Sequence, residues 1–294
     1  MKYTKICQIC KSDKRKAIFL YNKKILLKCK NCGVFYWSTE KTENESLENI
    51  KIYYDNIPDY YYDKINYSKR NIFFQHIRRT LKILNSGNKK LSLLDIGCSD
   101  GFFLELAKNF GFDVNGIEIS DKAVLYAKEK RPEIANSIFY GDLKSANFPN
   151  EHFDVVTLWD VLDQMCDPNG EIKEVFRMMK RGGILLIRIR NAQIHLFLYR
   201  LRRFLQKIIL SPATIHYYGF TRKSIIHLLF NNGFRFIKIY NSQLTIDDPY
   251  LQSKIGAKIL NCLKTIYYYI SQILYFISLG RFVISTSLII YARK

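Results

Sequence analysis

The sequence contains few residues that interrupt regular secondary structure, with 6 prolines and 14 glycines among 294 residues. This composition excludes collagen-like and linker-dominated chains. Apolar residues make up 48% and charged residues 24%, so the chain can bury a core and global disorder is excluded. At a typical ~100–200 residues per domain, the length predicts about two domains.

Features of secreted proteins are also missing. Residues 1–16 contain no apolar stretch of the kind found in a signal peptide. The 7 cysteines are too few for a secreted disulfide scaffold, and four of them form close pairs. We therefore expect a protein of the reducing cytoplasm.

Acidic residues nearly disappear after Glu174. Residues 177–294 hold 19 Lys and Arg against 2 Asp and Glu, a balance of +17, whereas the residues before them hold 27 against 24. A proteome rich in lysine explains the total charge of +20 equally well, but it does not explain this asymmetry. The basic half indicates an anionic partner: a phosphate-bearing substrate, an anionic membrane surface or nucleic acid.

Residues 1–40 are predicted to form a small separate module around four cysteines. Cys7 and Cys10 form one C-x2-C pair, and Cys29 and Cys32 form a second pair after 18 intervening residues. Two such pairs supply four thiolates in a tetrahedron, which predicts a structural Zn²⁺ site with no open position for catalysis. The alternative is four unrelated cytosolic cysteines.

Residues 41–90 are predicted as a polar, tyrosine-rich linker that ends in a helix from about residue 68. From residue 91 to 294 strands alternate with helices, which predicts an α/β domain with a doubly wound sheet. The predicted strands are residues 91–96, 113–119, 137–142, 153–159, 183–189, 234–240 and 287–293.

The first predicted strand runs into a glycine turn. Asp95, Gly97 and Gly101 form a D-x-G-x-x-x-G pattern, which lacks the second and third glycines of a dinucleotide fingerprint. The turn therefore suits a nucleoside ligand without phosphates. Glu118 ends the second strand, where an acid accepts hydrogen bonds from ribose hydroxyls. Asp142 follows the third strand and is placed to receive the exocyclic amine of adenine.

These residues resemble the class I S-adenosylmethionine-dependent methyltransferases. The similar segments are LLDIGCSDGFFLELA, GIEIS, YGDL and the late segment HYYGFTRKSIIHLLFNNGFRFIKI. The resemblance implies a seven-stranded Rossmann-like sheet whose last strand is antiparallel. The order of cysteine pairs, tyrosine-rich linker and methyltransferase core resembles bacterial enzymes that modify saccharides or lipid-linked intermediates.

The resemblance also implies roles for individual residues. The methionine part of the cofactor would lie among the residues of the glycine turn, Asp95, Gly97, Ser99 and Gly101. Ribose and adenine would be held by residues that follow the next two strands, namely Glu118, Ile119, Asp142 and Leu143. Trp159 and Asp160 would close the site after the fourth strand.

The catalytic base is less clear, because Gln164 stands where many relatives carry histidine. An amide does not accept a proton at neutral pH, so any base must lie elsewhere. The sequence favours His216, in a loop predicted to return across the carboxyl ends of the strands. The other candidates are His195, Asp160 and Asp163.

Two basic amphipathic segments, residues 193–210 and 252–279, interrupt the α/β pattern. One interpretation is a lid helix and a core helix that cover the sheet or a dimer interface. The other is a peripheral surface on the inner face of the membrane, with apolar residues in lipid and Lys and Arg at anionic headgroups. The apolar stretch 265–279 is shorter than the ~20 residues of a membrane span.

The leading functional hypothesis is methyl transfer to a hydroxyl of a saccharide or lipid-linked small molecule. An RNA methyltransferase is the second hypothesis, supported by the basic half but not by any D/N-P-P-Y loop or Pro-Cys nucleophile. The third is a cofactor-binding relative that lost its base at Gln164. The sequence predicts no oligomeric state.

Overall fold

The computed structural model describes residues 6–21, 24–38, 43–85, 87, 89–205, 216–245 and 254–294. The strands are β1 (Arg15–Tyr21), β2 (Lys24–Cys29), β3 (Phe35–Trp37), β4 (Ser92–Ile96), β5 (Asp113–Glu118), β6 (Ile138–Tyr140), β7 (Phe153–Trp159), β8 (Met179–Arg190), β9 (Tyr218–Gly219), β10 (Arg235–Asn241) and β11 (Ser287–Arg293). The helices are α1 (Glu43–Asp55), α2 (Tyr60–Leu84), α3 (Phe102–Asn109), α4 (Asp121–Lys130), α5 (Pro168–Met178), α6 (Ala192–Leu205), α7 (Arg222–Asn231) and α8 (Lys254–Ile277).

A seven-stranded sheet forms the centre of the molecule, in the order β10-β11-β8-β7-β4-β5-β6. The pairs from β8 to β6 are parallel, whereas β11 is antiparallel to both β8 and β10. All seven residues of β7 are buried, because helices cover both faces of a doubly wound sheet. This sheet confirms the predicted α/β fold with an antiparallel last strand.

Helices pack on the sheet through two apolar clusters. On one face Phe73 of α2 and Phe103 of α3 pack around Trp159. On the other face the cluster includes Ile172 of α5 and Ile225 of α7. The glycine turn follows β4 and another loop follows β7. Because these buried strands are parallel neighbours, both loops lie at the same carboxyl-terminal edge of the sheet.

The cysteine-containing segment, predicted as a small module, shares a sheet and an apolar cluster with later parts of the chain. Strands β1, β2 and β3 form a four-stranded sheet with β9, which follows α6 much later in the sequence. Val34 and Tyr36 share an apolar cluster with Phe220 and Ile225. Both regions therefore bury apolar surface against each other.

The two amphipathic segments lie in different surroundings. One side of α6 packs on the N-terminal sheet, where Leu196 shares an apolar cluster with Leu26 and Phe35, and Tyr199 stacks on Phe19 with ring centroids 5.2 Å apart. Residues 206–210 and 252–253 lie outside the described part of the chain. Among the described residues, no helix combines the length and apolar character needed to cross a membrane.

Candidate functional site

The turn after β4 is built for close backbone approach. Gly97 and Gly101 have φ of +72° and +76°, a region that favours glycine. A Cβ atom at Gly97 would lie 2.5 Å from Val161 Cγ2, and one at Gly101 would lie 2.5 Å from Ile134 Cδ1. Side chains are therefore excluded at both positions.

Glu118, the last residue of β5, lies directly against this turn. Its carboxylate accepts hydrogen bonds from the backbone N–H of Ser99 at 2.8 Å and of Ser120 at 2.9 Å. The side chain is buried, and burial raises its pKa. Each carboxylate oxygen keeps a lone pair for a further donor, so Glu118 can still accept hydroxyl groups.

Asp95, predicted to lie beside the methionine part of the cofactor, makes its side-chain contact within the sheet. Only 2% of the residue is exposed, and Thr157 Oγ1 donates to Asp95 Oδ1 at 2.5 Å across the β4–β7 pair. Burial raises the pKa of Asp95 to about 8. Asp95 therefore holds the turn to the neighbouring strand, and its contact with a cofactor stays a prediction.

The predicted adenine-binding residues lie after β5 and β6. Ile119 is half-buried beside Glu118, and Leu143 belongs to the apolar core. Asp142 Oδ1 accepts the Ser145 backbone N–H at 2.7 Å. Burial alone would raise the pKa of Asp142, but the hydrogen bonds from Ser145 outweigh it and lower the pKa. Asp142 is thus an ionised acceptor near the β6 edge.

Two aspartates, Asp160 and Asp163, follow β7. Their surroundings lower the pKa of Asp160 and raise the pKa of Asp163. Asp160 Oδ2 pairs with Lys69 Nζ at 2.8 Å and with Arg188. Burial favours protonation of Asp160, but these cations hold its pKa well below the usual range. Asp163 pairs with Arg190 at 3.1 Å, and burial nevertheless raises its pKa to about 6. Asp163 Oδ1 is buried without a hydrogen-bond partner among the described residues.

Helices α1 and α2 contribute residues that the sequence interpretation missed. Tyr54 donates its hydroxyl hydrogen to Gln164 Oε1 at 2.8 Å, and Gln164 Nε2 donates to the Asp160 carbonyl at 2.9 Å. Asp55 Oδ1 accepts the Ser120 hydroxyl at 2.7 Å, beside Glu118. The supposed linker therefore covers the site, and its many tyrosines were the signal available in the sequence.

Trp159, predicted to close the site after the fourth strand, lies apart from these residues. The Trp159 ring packs between Phe73 and Phe103 in the core, at centroid distances of 4.8 and 5.1 Å. This position contradicts the prediction that its side chain closes the cofactor pocket. The orientation follows from strand alternation, because Leu158, the preceding residue of β7, packs in the apolar cluster on the opposite face of the sheet.

The two candidate histidines differ in what surrounds them. His195 Nε2 lies 3.0 Å from the Thr286 carbonyl, and burial lowers the pKa of His195 to about 4, so it is a weak base. His216 is half-buried two residues before β9, and residues 211–215 lie outside the described part of the chain. Tyr218 in β9 donates to the Cys166 carbonyl at 3.1 Å, which places β9 beside the loop after β7. A catalytic role for His216 stays a prediction.

The four paired cysteines converge as the spacing predicted. Their Sγ atoms all lie within 4.8 Å of one another. The Cys7–Cys32 and Cys10–Cys29 sulfur distances are 3.7 and 3.5 Å. A tetrahedral Zn²⁺ with Zn–S bonds of ~2.3 Å places its sulfurs roughly 3.8 Å apart, so the cluster fits zinc. Gly33, with φ +81°, completes the second turn.

Comparisons with known proteins agree with this fold. A family model described as a methyltransferase domain matches residues 68–239, more than half of the sequence, and the chain belongs to this family. The magnesium protoporphyrin IX methyltransferase of Synechocystis PCC 6803, solved with bound SAH, superimposes with a TM-score of 0.52. That match is 14% identical and covers 85% of this chain and 99% of the other, so it supports the fold alone.

Curated relatives match shorter segments. A ubiquinone biosynthesis O-methyltransferase of Nitrosomonas europaea is 29% identical over 136 residues, 45% of this chain and 58% of the relative. The 2-methyl-6-phytyl-1,4-hydroquinone methyltransferase of Synechocystis sp. is 37% identical over 98 residues, 33% of this chain and 31% of the relative. The chain thus spans less than two thirds of either relative.

Proposed function

We propose that the protein transfers a methyl group from S-adenosylmethionine to a hydroxyl oxygen of a small-molecule acceptor. The observation that carries the proposal is the position of Glu118 against the glycine turn, on the same sheet edge as Asp163, Gln164 and Tyr54. Family membership supports methyl transfer, and the name of the Nitrosomonas relative supports oxygen as the acceptor atom.

The chain's own residues fit the cofactor. When bound, S-adenosylmethionine supplies an electrophilic methyl group on a sulfonium. Glu118 would accept the ribose hydroxyls, and Ile119 and Asp142 would lie at the adenine. The tight turn from Gly97 to Gly101 lets backbone approach the methionine part without side-chain interference.

Asp163 is the base that the geometry favours for the acceptor. The Oδ1 atoms of Asp163 and Asp160 both lack a hydrogen-bond partner among the described residues, but Asp160 is neutralised by two cations. His195 is bound to a carbonyl. Asp163 would receive the hydroxyl proton while the oxygen bonds to the methyl carbon and the sulfur–methyl bond of the sulfonium breaks, with S-adenosylhomocysteine as the leaving group.

The acceptor class is proposed as a saccharide or a lipid-linked small molecule. The basic half of the chain suits an anionic or membrane-associated acceptor. The names of two relatives, for ubiquinone biosynthesis and a phytyl hydroquinone, favour the lipid-linked option. Incubation with methyl-labelled cofactor and separated lipid, saccharide and RNA extracts distinguishes these sources, and label in the RNA fraction alone would contradict the proposal.

Substitution of Glu118 tests the cofactor site directly. We expect Glu118→Ala to weaken S-adenosylmethionine binding by ~1–3 kcal/mol, the range for hydrogen bonds to charged groups. Isothermal titration calorimetry measures the change. Glu129→Ala, which removes an exposed carboxylate on α4, is the matched control and should bind normally. Equal affinity in both variants would reject the assignment.

A further inference from the structure

Helix α8 is attached to the molecule along one side. Asn241 Nδ2 donates to the Ser271 carbonyl at 2.9 Å, and Lys264 Nζ donates to the Thr245 carbonyl at 3.0 Å. Tyr275 packs on Tyr240 of β10 with ring centroids 5.7 Å apart. These contacts fix which side of the helix faces the sheet, and therefore which side faces away.

The outward side of α8 carries a continuous apolar stripe. Its residues follow one another at spacings of four and three and are 48–71% exposed. The stripe consists of Ile259, Leu263, Ile266, Ile270, Ile273 and Ile277. Leu279 and Phe282, which are 89% and 61% exposed, continue it beyond the helix. Monomeric proteins rarely expose a contiguous apolar surface of this extent.

The width of the apolar surface favours lipid over a second copy of the helix. Paired helices bury a narrow seam at this spacing and carry charged residues beside it. Here the neighbouring positions are apolar or aromatic, including Tyr269 and Phe276, which are 62% and 82% exposed. A broad apolar face without flanking charge pairs suits the headgroup–acyl boundary of a bilayer.

The charges around the stripe favour an anionic surface. Residues 254–294 contain no Asp or Glu. Exposed Lys258 lies near the start of α8 and exposed Arg281 just after its end, so cations stand at both ends of the stripe. Basic residues bordering an apolar helix face strengthen binding to anionic headgroups.

We propose that α8 and the following loop through Phe282 form a membrane-docking surface that binds anionic lipid bilayers. The apolar stripe enters the interface while Lys258 and Arg281 meet the headgroups. The proposal is confined to α8, because Leu196 and Tyr199 of α6 pack on the N-terminal sheet and Phe197 is its exposed large apolar side chain among residues 192–200. Docking is a binding event and does not depend on methyl transfer, so either proposal can fail without the other.

Vesicle flotation of the full chain tests the surface. We expect binding to vesicles of phosphatidylcholine with about a third phosphatidylglycerol, and much weaker binding to phosphatidylcholine alone. The reason is that anionic headgroups attract the basic residues of the protein, and salt screens this attraction. The double variant Ile266→Asp/Ile270→Asp should lower the partition coefficient at least ~10-fold, since burial of each isoleucine contributes strongly. Lys258→Gln/Arg281→Gln should weaken binding at low salt and less at high salt.

Matched substitutions on another helix provide the control. Leu125→Asp on α4 also changes an exposed leucine, 59% accessible, and should leave flotation unchanged. The α8 positions are exposed, so circular dichroism and thermal unfolding should show folded variants. Two results would overturn the proposal: no flotation of the wild type at low salt, or wild-type sedimentation as a dimer that the isoleucine variant converts to a monomer without any vesicle binding.

Discussion

At the scale of single residues, Asp160 and Asp163 show how neighbours decide chemical roles. Both follow β7, and Asp163 is buried while the Asp160 side chain is 22% exposed. Among the described residues, Asp160 forms ion pairs with Lys69 and Arg188, whereas Asp163 forms one with Arg190. Two cations stabilise the carboxylate of Asp160 and make it a weak base. Burial dominates at Asp163 and brings its pKa to about 6, close to working pH.

Asp163→Asn should bind S-adenosylmethionine normally but lose at least ~100-fold in turnover, the lower range for removal of a general base. The wild-type rate should be high above pH 6 and fall as Asp163 is protonated below its pKa of about 6, because a base must be ionised to accept a proton. Measurement of kcat/KM against pH checks both the loss and the position of the fall.

The histidine alternative is tested in the same assay. His216→Ala should retain most of its turnover and the same pH profile if Asp163 is the base. A loss of ~100-fold in His216→Ala with an active Asp163→Asn would instead assign the base to His216, as the sequence favoured.

At the scale of elements, α1 and α2 are the main addition to the site. The exposed side of α2 is polar, whereas its buried side combines the apolar residues Ile72, Phe73 and Ile77 with hydrogen bonds near the site. Asn66 in α2 donates to Asp100 Oδ2 at 2.6 Å, beside the salt bridge from Arg131 to Asp100 at 3.0 Å. These contacts tie α2 to the turn that precedes α3.

Asn66→Ala should lower the free energy of unfolding by ~1–3 kcal/mol, because the buried Asp100 carboxylate loses a hydrogen bond. Urea unfolding monitored by circular dichroism measures the change. Asn71→Ala, at an exposed position of the same helix, is the control and should have little effect. Equal stability of both variants would show that the contact does not fasten α2.

At the scale of the whole molecule, the cysteine cluster and the methyltransferase region are coupled. Strand β9 joins the N-terminal sheet through the register Tyr36↔Tyr218 and leads directly into α7. Thr221, the N-cap of α7, lies 3.5 Å from the position of a Cβ on Gly33. Loss of order at the cysteines would therefore expose apolar surface of the central domain.

Purified protein should contain one equivalent of zinc on Cys7, Cys10, Cys29 and Cys32. Chelation or Cys29→Ser should lower the melting temperature of the entire chain in one transition, because the binding energy of a structural metal contributes to folding. Metal analysis with calorimetry checks this, and Cys262→Ser, outside the cluster and exposed, is the control. Far less than one equivalent, with unchanged unfolding in chelator, would contradict a structural zinc.

The sequence by itself determined the features encoded by local patterns. Buried strands appear as apolar runs, the glycine turn requires positive φ at Gly97 and Gly101, and C-x2-C spacing brings thiolates together within one short turn. These signals predicted the individual strands, the place of Glu118 at the end of β5 and the two cysteine pairs, because each depends on residues close together in the chain. The antiparallel last strand was implied by the resemblance to the methyltransferase family.

Only the tertiary structure decided which distant side chains meet. Tyr54 reaches Gln164 across 110 positions of sequence, and Lys69 neutralises Asp160 from a different helix. The two amphipathic segments look alike in sequence, yet Leu196 and Tyr199 of α6 pack on the N-terminal sheet, whereas α8 leaves a continuous apolar stripe exposed. Burial and the charge of neighbours arise from the folded arrangement, so the base and the docking surface became distinguishable only in three dimensions.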